Sequence, residues 1–234
     1  MDKFTTTPNN LQINELFKPE HTLAWTYLSQ FLYPWEALSN IKEFILELGA
    51  TLKESEYQRQ DNNIWIHKTA VIAPTAYIGS AVIIGANTEV RHCAYIRGSV
   101  LVGDNAVVGN STELKNSILF DGVQAPHYTY VGDSILGYKS HMGAGAITSN
   151  FKSDNTLISV SCGNVRIETG LRKFGAILGD HVEVGSNAVL NPGTVVGIGS
   201  AIYPLSMVRG FIPAGMIYKR QGDIVEKREI TSRT

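Results

Sequence analysis

Aliphatic residues recur at every sixth position after residue 65. This series consists of Ile66, Ile72, Ile78, Ile84, Val90, Ile96, Val102, Val108 and Leu114. A second series, four positions later in each hexad, is mostly small or β-branched and consists of Ala70, Ala76, Val82, Thr88, Ala94, Val100, Ala106, Thr112 and Ile118. A period of six fits neither an α-helix nor an alternating strand. It is typical of parallel β-helices, whose stacked coils bury an interior that one coil cannot bury alone. We therefore expect both series to point inward.

The punctuation of the repeat predicts its corners and its breaks. Glycines follow the first series at Gly79, Gly85, Gly103 and Gly109, which predicts tight corners there because bulkier residues would be strained. The register resumes at Leu178, Val184, Leu190, Val196, Ile202 and Val208. Between these parts the count fails over 151–177, which predicts a loop or hairpin that leaves the wall. We therefore predict a mainly β chain with a β-helix domain over 61–213 and an extended tail or hairpin over 214–234.

Residues 1–60 follow a different pattern. Large apolar residues recur at spacings of three and four, first at Leu23, Trp25, Leu28, Phe31 and Leu32 and then, after Pro34, at Leu38, Ile41, Phe44, Ile45 and Leu48. These spacings predict short amphipathic helices that pack against the β-helix without chemistry of their own. Gly49 is expected to end the second of them. The sequence thus predicts a helical N-terminal cap.

Composition excludes several classes of function. The 20 lysines and arginines balance 21 aspartates and glutamates without long runs of one sign, so no basic face for nucleic acid or an anionic membrane is expected. No leader-like segment and no run of about 18 apolar residues occurs. Cys93 and Cys162 are too few for a disulfide framework and lie outside any C-x-x-C spacing. We expect a cytoplasmic protein with a small-molecule partner.

One stretch, "DGVQAPHYTYVGD" over 121–133, interrupts the repeat. If Phe120 and Pro126 are the next inward residues, the spacing then shortens to five at Val131 and again at Leu136. A corner needs only small residues, so the histidine and tyrosines of this stretch contribute nothing to stacking. Their presence favours a role for this corner in binding or catalysis.

The stretch "AYIRGSVLVGDNAVVGNSTELKNSILFDGVQAPHYTYVGDSILGYKSHMGAGAITSN" resembles the acetyltransferase half of the bifunctional N-acetylglucosamine-1-phosphate uridylyltransferase/glucosamine-1-phosphate acetyltransferase family. The later stretch "TGLRKFGAILGDHVEVGSNAVLNPGTVVG" resembles archaeal-type sugar-phosphate nucleotidylyltransferases. This resemblance implies a left-handed, triangular β-helix with three hexads in each coil. It also implies a homotrimer with active sites between neighbouring subunits.

The resemblance further implies a role for particular residues. His127 would be the base that deprotonates the amine of an amino-sugar 1-phosphate, with Tyr130 and Asn150 beside it as catalytic groups. Arg97 and Lys115 would hold the sugar phosphate, and Glu113 would orient Lys115. Acetyl-CoA would be the cosubstrate, without a metal. Its pantetheine groove would be bordered by Ala144 and Ser186, and its phosphates would contact Arg172, Lys173 and Arg209.

The chain departs from the family at several points, and two other readings stay open. Thr156 stands where the family has a lysine, with Lys152 the only nearby substitute. Residues 1–60 contain no glycine-rich nucleotide-binding start, so we expect no uridylyl transfer by this chain alone. A separate nucleotidylyltransferase is then a candidate partner. One alternative is a non-catalytic module that binds sugar nucleotides or acyl-CoA. The other is a zinc enzyme of the γ-carbonic-anhydrase kind, but His67, His92, His127, His141 and His181 contain no H-x-x-x-x-H pair.

Overall fold

The computed structural model describes residues 7–227. Its main body is a left-handed parallel β-helix whose coils run through three walls. Wall 1 consists of Val71–Ile72, Glu89–Val90, Val107–Asn110, Gln124–His127, His141–Met142, Glu183–Val184, Ala201–Ile202 and Met216–Arg220. Wall 2 consists of the first parts of four long strands and of three short strands. The long strands are Tyr77–Ile84, Tyr95–Val102, Glu113–Leu119 and Tyr130–Leu136, and the short ones are Ile147–Thr148, Val189–Leu190 and Met207–Val208. Wall 3 consists of Ile64–His67, the ends of those four long strands, Ala176–Leu178, Thr194–Val196 and Phe211–Ile212.

Both hexad series point into the interior in the first coils. Ile78 pairs with Ile96 and Ile84 with Val102 in parallel register, so equivalent residues of successive coils lie above one another. From Val82 to Thr112 all members of the two series are buried. The predicted mainly β fold is therefore confirmed. Its stability comes from apolar columns that each coil extends, since no single coil excludes water from its own interior.

Each coil turns at three corners, where one residue takes the left-handed backbone conformation. Corner A joins walls 1 and 2 at Cys93, Ser111, Tyr128, Gly145, Asn187 and Leu205. Corner B joins walls 2 and 3 at Ala81, Ser99, Asn116, Asp133, Gly193 and Gly210. Corner C joins walls 3 and 1 at Asn87, Asn105, Gly122, Lys139, His181, Gly199 and Gly215. The residue with positive φ is most often glycine or asparagine. Glycine has no Cβ to clash, and the short polar side chain of asparagine tolerates this conformation.

The predicted reason for Gly79, Gly85, Gly103 and Gly109 is wrong. None of these glycines has a positive φ, and the left-handed residue comes two positions later. They are glycine because the next coil passes too close for a side chain: a Cβ on Gly79 would lie 2.2 Å from the carbonyl oxygen of Arg97. On Gly109 it would lie 1.6 Å from that of Pro126. Close approach of backbones, rather than turn conformation, fixes glycine at these positions.

The inward register shortens earlier than the sequence predicts. Val102 pairs with Leu119 and Val108 with Ala125, so Leu119 and Ala125 take the inward positions assigned to Phe120 and Pro126. A first five-residue step therefore precedes the interruption, between Leu114 and Leu119. The second lies between Val131 and Leu136, as predicted, whereas the short step predicted to end at Val131 is wrong because Ala125 lies six residues before it. Both short steps pass corner B in successive coils, which makes this corner tighter than the others.

The N-terminal segment is helical and lies along the side of the β-helix. Its α-helices are Ile13–Leu16, Trp25–Leu28 and Ile41–Thr51, and its 3₁₀ helices are Pro8–Leu11, Pro19–His21 and Pro34–Asn40. Helix Ile41–Thr51 packs on the long strands that begin at Tyr77, Tyr95 and Glu113, and Pro34–Asn40 packs on Tyr130–Leu136. The N-terminal segment thus covers the outward side of wall 3. The fully buried residues there are Ile83, Leu101, Ile118, Ile135, Ile177 and Val195. Ile118 had been expected to point inward, but Ser117 takes that position because of the first short step.

Two details of the predicted helices are wrong. Gly49 does not end a helix, because Ile41–Thr51 continues past it. A Cβ there would lie 2.5 Å from the indole of Trp65, so the glycine lets helix and β-helix pack closely. Leu23 and Leu32, placed on the apolar faces, are 45% and 53% exposed. The segment breaks into short pieces, so a single periodic face does not persist through it.

The interruption of the count over 151–177 forms an antiparallel hairpin of Ser159–Cys162 and Val165–Glu168. The chain leaves corner B at Phe151, which bridges Lys173 in antiparallel fashion, and rejoins wall 3 at Ala176. The hairpin packs against corner B, where a Cβ on Gly210 would lie 3.1 Å from the carbonyl oxygen of Ser161.

The chain also begins and ends its coils with antiparallel pairs. Tyr57–Gln60 pairs with Ile64–His67 before the first coil, and Met216–Arg220 with Asp223–Glu226 after the last. The predicted N-terminal and C-terminal regions extend into 1–6 and 228–234, which lie outside the described residues. Within 7–227 no helix is both long and apolar enough to cross a membrane.

Candidate active site

The predicted site residues separate into two groups on neighbouring corners. His127, Ala144 and Ser186 occupy equivalent positions at corner A in three successive coils. The carbonyl oxygen of His127 accepts a hydrogen bond from Gly145 N at 3.2 Å, and that of Ala144 accepts one from Asn187 N at 2.8 Å. The predicted base and the predicted borders of the pantetheine groove therefore form one line along this corner.

His127 ends the strand Gln124–His127, and Tyr128 then makes the turn with φ of 32°. Both side chains are exposed. Within residues 7–227 His127 is bonded to the next coil through its backbone, and its imidazole has no hydrogen-bond partner. The histidine is thus held by its backbone and presents its ring to the outside of corner A.

The second group surrounds a depression of about 340 Å³ beside corner B. It is lined by Arg97, Lys115, Tyr130, Asn150, Phe151 and Lys173. The β-helix brings these residues together because the first four belong to successive coils on the same side of wall 2, and the last two form the base of the hairpin. His127 does not line this depression, since wall 2 separates corner A from corner B.

Two ion pairs set the charge of the depression. Arg97 Nη1 lies 3.0 Å from Glu113 Oε1, and this hydrogen bond raises the pKa of Arg97. Lys115 Nζ lies 2.9 Å from Asp133 Oδ1. Glu113 therefore orients Arg97 rather than Lys115, its predicted partner. The lysine is held instead by Asp133 from the next coil. Lys173 has no carboxylate partner among the described residues.

Asp133 is a site residue that the sequence analysis missed. It lies at corner B, where its backbone φ is 49°, and it is 3% exposed. Lys115, Asn116 and Asn150 all donate to its carboxylate. The five-residue step from Val131 to Leu136 marks this corner in the sequence, but the step alone does not show which neighbours the aspartate meets.

Tyr130 is held over the backbone of its own strand. A Cβ on Gly132 would lie 2.4 Å from the Tyr130 hydroxyl oxygen, so the ring occupies the space that a side chain would take. The hydroxyl accepts a hydrogen bond from Asn150 Nδ2 at 3.2 Å. Burial, with the Asp133 charge as a further cause, raises the pKa of Tyr130. The phenol is therefore neutral at physiological pH and can donate its proton to a ligand.

The predicted coenzyme contacts are not all in one place. Arg172 and Lys173 are exposed at the base of the hairpin. Arg209 lies beside corner B in a separate depression of about 230 Å³, together with Lys152, Arg166, Ser159, Ser161, Ile158, Pro192 and Gly210. Lys152 Nζ contacts the Thr156 hydroxyl, so this amine lies next to the residue that replaces the family's lysine. Wall 2 separates Arg209 from Ala144 and Ser186.

Metal ligands are not grouped anywhere in the part of the chain that the structure describes. Between residues 7 and 227 no three histidine, cysteine, aspartate or glutamate side chains are arranged to hold an ion. His141 instead pairs with Glu183, with Nδ1 and Oε2 2.9 Å apart.

Known proteins are similar to this chain over different parts of its length. The family model of the GMPPB C-terminal domain matches residues 89–198. The bifunctional sugar-1-phosphate nucleotidylyltransferase/acetyltransferase of Sulfurisphaera tokodaii is 35% identical over 103 residues, which cover 44% of this chain and 26% of that protein. A bifunctional protein GlmU of Methanococcus maripaludis is 31% identical over 205 residues, or 86% of this chain and 50% of that protein. The chain is similar to bifunctional GlmU proteins.

The resemblance inferred from the motifs is thereby confirmed. The GlmU-like match spans between a quarter and a half of the length of these two relatives. Among solved structures, the acetyltransferase domain of PglB from Neisseria gonorrhoeae, in complex with acetyl coenzyme A, aligns with a TM-score of 0.32 and 19% identity. That alignment covers 70% of this chain and 57% of the other.

Proposed function

We propose that this chain is an acetyl-CoA-dependent N-acetyltransferase that acts on the amine of an amino-sugar 1-phosphate such as glucosamine-1-phosphate. The observation that carries the proposal is the meeting of Arg97, Lys115, Tyr130 and Asn150 in one depression. The sequence resemblance assigns Arg97 and Lys115 to the sugar phosphate and Tyr130 and Asn150 to catalysis. The four residues come from successive coils. The names of the relatives, which include acetyltransferase, support the same class of reaction.

The charges of the depression suit a phosphate. Arg97 and Lys115 are each balanced by one carboxylate, while Lys173 has none among the described residues, which leaves a net positive charge. The two ion pairs neutralise most of the charge, so the positive field of the depression is weak. The charge of Lys173 remains to attract an anion. The remaining N–H groups of Arg97 and Lys115 can donate to phosphate oxygens.

The reaction requires a base and a donor. In the proposed step the amine nitrogen of the sugar attacks the thioester carbonyl of acetyl-CoA, a C–N bond forms and the C–S bond breaks. The neutral imidazole of His127 accepts the proton of the amine and returns it to the leaving thiolate. The Tyr130 hydroxyl donates to the carbonyl oxygen as negative charge develops, a contact that lowers the barrier because the donor is already oriented.

A homotrimer would join the two corners. In a single chain His127 lies at corner A and the phosphate-binding residues at corner B, so the site is complete only if another copy brings its corner A to this corner B. The outer side of wall 2 supports such contact, because Tyr77, Tyr95, Ile147 and Met207 are all exposed there. Closed three-fold rings bury the same surface on every copy. Ala144 and Ser186 would then border the pantetheine, with Arg172, Lys173 and Arg209 near the phosphates of the coenzyme.

The decisive experiment measures acetyl-CoA turnover with glucosamine-1-phosphate, galactosamine-1-phosphate and the free amino sugars. We expect turnover with one of the phosphates, and a loss of about a hundredfold or more in the His127→Ala variant, the usual scale for a positioned general base. Arg97→Ala should raise KM for the sugar before it lowers kcat. Absence of turnover with every amino sugar would contradict the proposal.

The shared site has its own test. His127→Ala and Arg97→Ala chains are co-expressed in equal amounts, so that mixed rings form. If each site combines His127 of one copy with Arg97 of another, about a quarter of the sites are intact in a random mixture. Recovery of activity above that of either variant supports the shared site. No recovery, in rings shown to be mixed, would place both residues in one subunit.

A second candidate is a non-catalytic module that binds sugar nucleotides or acyl-CoA and acts with a separate nucleotidylyltransferase in the cytoplasm. The replacement of a family lysine by Thr156 favours it. The contact between Lys152 and Thr156 weakens that argument, because it supplies an amine at the same place. Ligand binding without turnover would identify this alternative.

A further inference from the structure

Asp133 is the most enclosed charged group in the candidate site. Lys115 Nζ lies 2.9 and 3.0 Å from its two carboxylate oxygens, and Asn116 Nδ2 donates to Oδ1 at 2.9 Å. Asn150 Nδ2 donates to Oδ2. The residue is 3% exposed, so water contributes little to its solvation. These donors satisfy the carboxylate and hold it in one orientation.

The carboxylate determines which way the amide of Asn150 faces. An ionised carboxylate only accepts hydrogen bonds, so Asn150 must turn its NH₂ group toward Asp133. The same Nδ2 also donates to the Tyr130 hydroxyl at 3.2 Å. Both N–H bonds of Asn150 are therefore used inside the protein. Asn150 has no N–H left for an oxyanion and can contact a ligand only through Oδ1.

The direction of the Tyr130 hydroxyl follows from that of Asn150. Because the oxygen of the hydroxyl accepts from Asn150, its own proton is free to point into the depression. The ring cannot turn toward Gly132, whose backbone it already contacts. Asn150 and Tyr130 thus each have one donor direction, and the buried carboxylate of Asp133 sets it.

We propose that Asp133 is the positioning residue of this site, which acts through Asn150 to aim the Tyr130 proton at the ligand. This inference rests on the proposed acetyl transfer for its catalytic consequence, while the hydrogen-bond order itself does not. Asp133 touches no substrate in this arrangement. Its replacement should therefore lower kcat and leave KM for acetyl-CoA unchanged.

The sharpest test exchanges the two residues. Asp133→Asn removes the charge, so the amide of Asn150 loses its fixed direction. The double variant Asp133→Asn/Asn150→Asp keeps one carboxylate and one amide in the same places but reverses their order. The carboxylate at 150 then accepts from Tyr130, whose proton points away from the ligand. We expect kcat to fall about a hundredfold in both, the scale for loss of one oriented donor. Full activity of the exchanged variant would overturn the proposal.

A second readout needs no turnover. With tyrosine labelled with ¹³C at the ring carbon that bears the hydroxyl, and with Tyr130→Phe to assign the signal, the pKa of Tyr130 is measured by NMR. The pKa should fall in Asp133→Asn, because a negative charge is removed, and rise in the exchanged variant, because a carboxylate now accepts from the phenol. An unchanged pKa in both variants would refute the hydrogen-bond order, even in a protein without activity. Should Asp133→Asn not fold, the exchanged variant carries both measurements.

Discussion

A single methyl group on Gly132 should displace Tyr130 in the depression beside corner B and lower activity without unfolding the chain. In the Gly132→Ala variant the new Cβ would lie 2.4 Å from the Tyr130 hydroxyl oxygen and 2.7 Å from Cζ. Ordinary contact begins at 3.4 Å, so the end of the ring must retreat by about 1 Å, the difference between 3.4 and 2.4 Å. The ring can do so because its free end lies in the open depression. The hydrogen bond from Asn150 is lost in the process.

The expected effects on stability and activity differ widely. Loss of the Asn150–Tyr130 hydrogen bond costs about 1 kcal/mol of unfolding free energy. Replacing glycine by alanine at an ordinary φ returns about 0.4–1 kcal/mol by restricting the unfolded chain. The free energy of unfolding should thus change by less than about 1 kcal/mol, whereas a displacement of about 1 Å in a catalytic group costs about a hundredfold in rate.

The assay is a double-mutant cycle with Tyr130→Ala, read by kcat and by the urea midpoint. In the Tyr130→Ala background the methyl group meets no ring, so Gly132→Ala should have no further effect on kcat. Full activity of Gly132→Ala alone, or an equal further loss in the Tyr130→Ala background, would refute the reasoning that the glycine exists to seat the tyrosine.

Three further predictions concern the fold. Val108→Asp, which puts an unpaired charge into the interior, should prevent folding, as seen by loss of the β-type circular dichroism spectrum. Trp35 is 2% exposed and stacks on Tyr33 with ring centroids 4.6 Å apart. Trp35→Ala should therefore lower the unfolding free energy, measured by urea titration, by about 3–5 kcal/mol. The control Leu23→Ala, at an exposed position, should change it by less than about 0.5 kcal/mol. Burial raises the pKa of Tyr57 to about 12, so the folded state keeps a proton that the unfolded chain loses between pH 10 and 12. Stability should therefore fall by about 2–3 kcal/mol over that range, and Tyr57→Phe should lack this loss when the two are compared in urea at pH 9 and pH 12.

The corner that carries Asp133 shows why part of the site was missed. Arg97, Lys115, Tyr130 and Asn150 could be selected from motifs in the sequence. Asp133 could not, because its importance comes from Lys115 in the preceding coil and Asn150 in the next. Contacts between coils join residues about 18 positions apart in sequence, and a register that shortens by one residue changes which residues meet.

The same shortening limited the prediction of the interior. A count of six identified the inward residues correctly up to Leu114, because each coil there repeats the previous one. It then assigned Phe120 and Pro126 in place of Leu119 and Ala125. Nothing local distinguishes a five-residue step from a six-residue step when both phases offer apolar residues. Packing against the coils on either side decides between them.

The sequence by itself determined the repeat architecture, because a hexad pattern of apolar residues can bury its inward columns only by stacking coils. Only the tertiary structure decided where the N-terminal helices lie, since their apolar faces match any flat apolar wall, and wall 3 is the one whose outward residues are apolar in every coil. It also decided that His127 and the proposed phosphate-binding residues Arg97 and Lys115 occupy different corners. Spacing along the chain predicts the order in which corners follow one another. It does not predict how far apart the outward side chains of different corners lie.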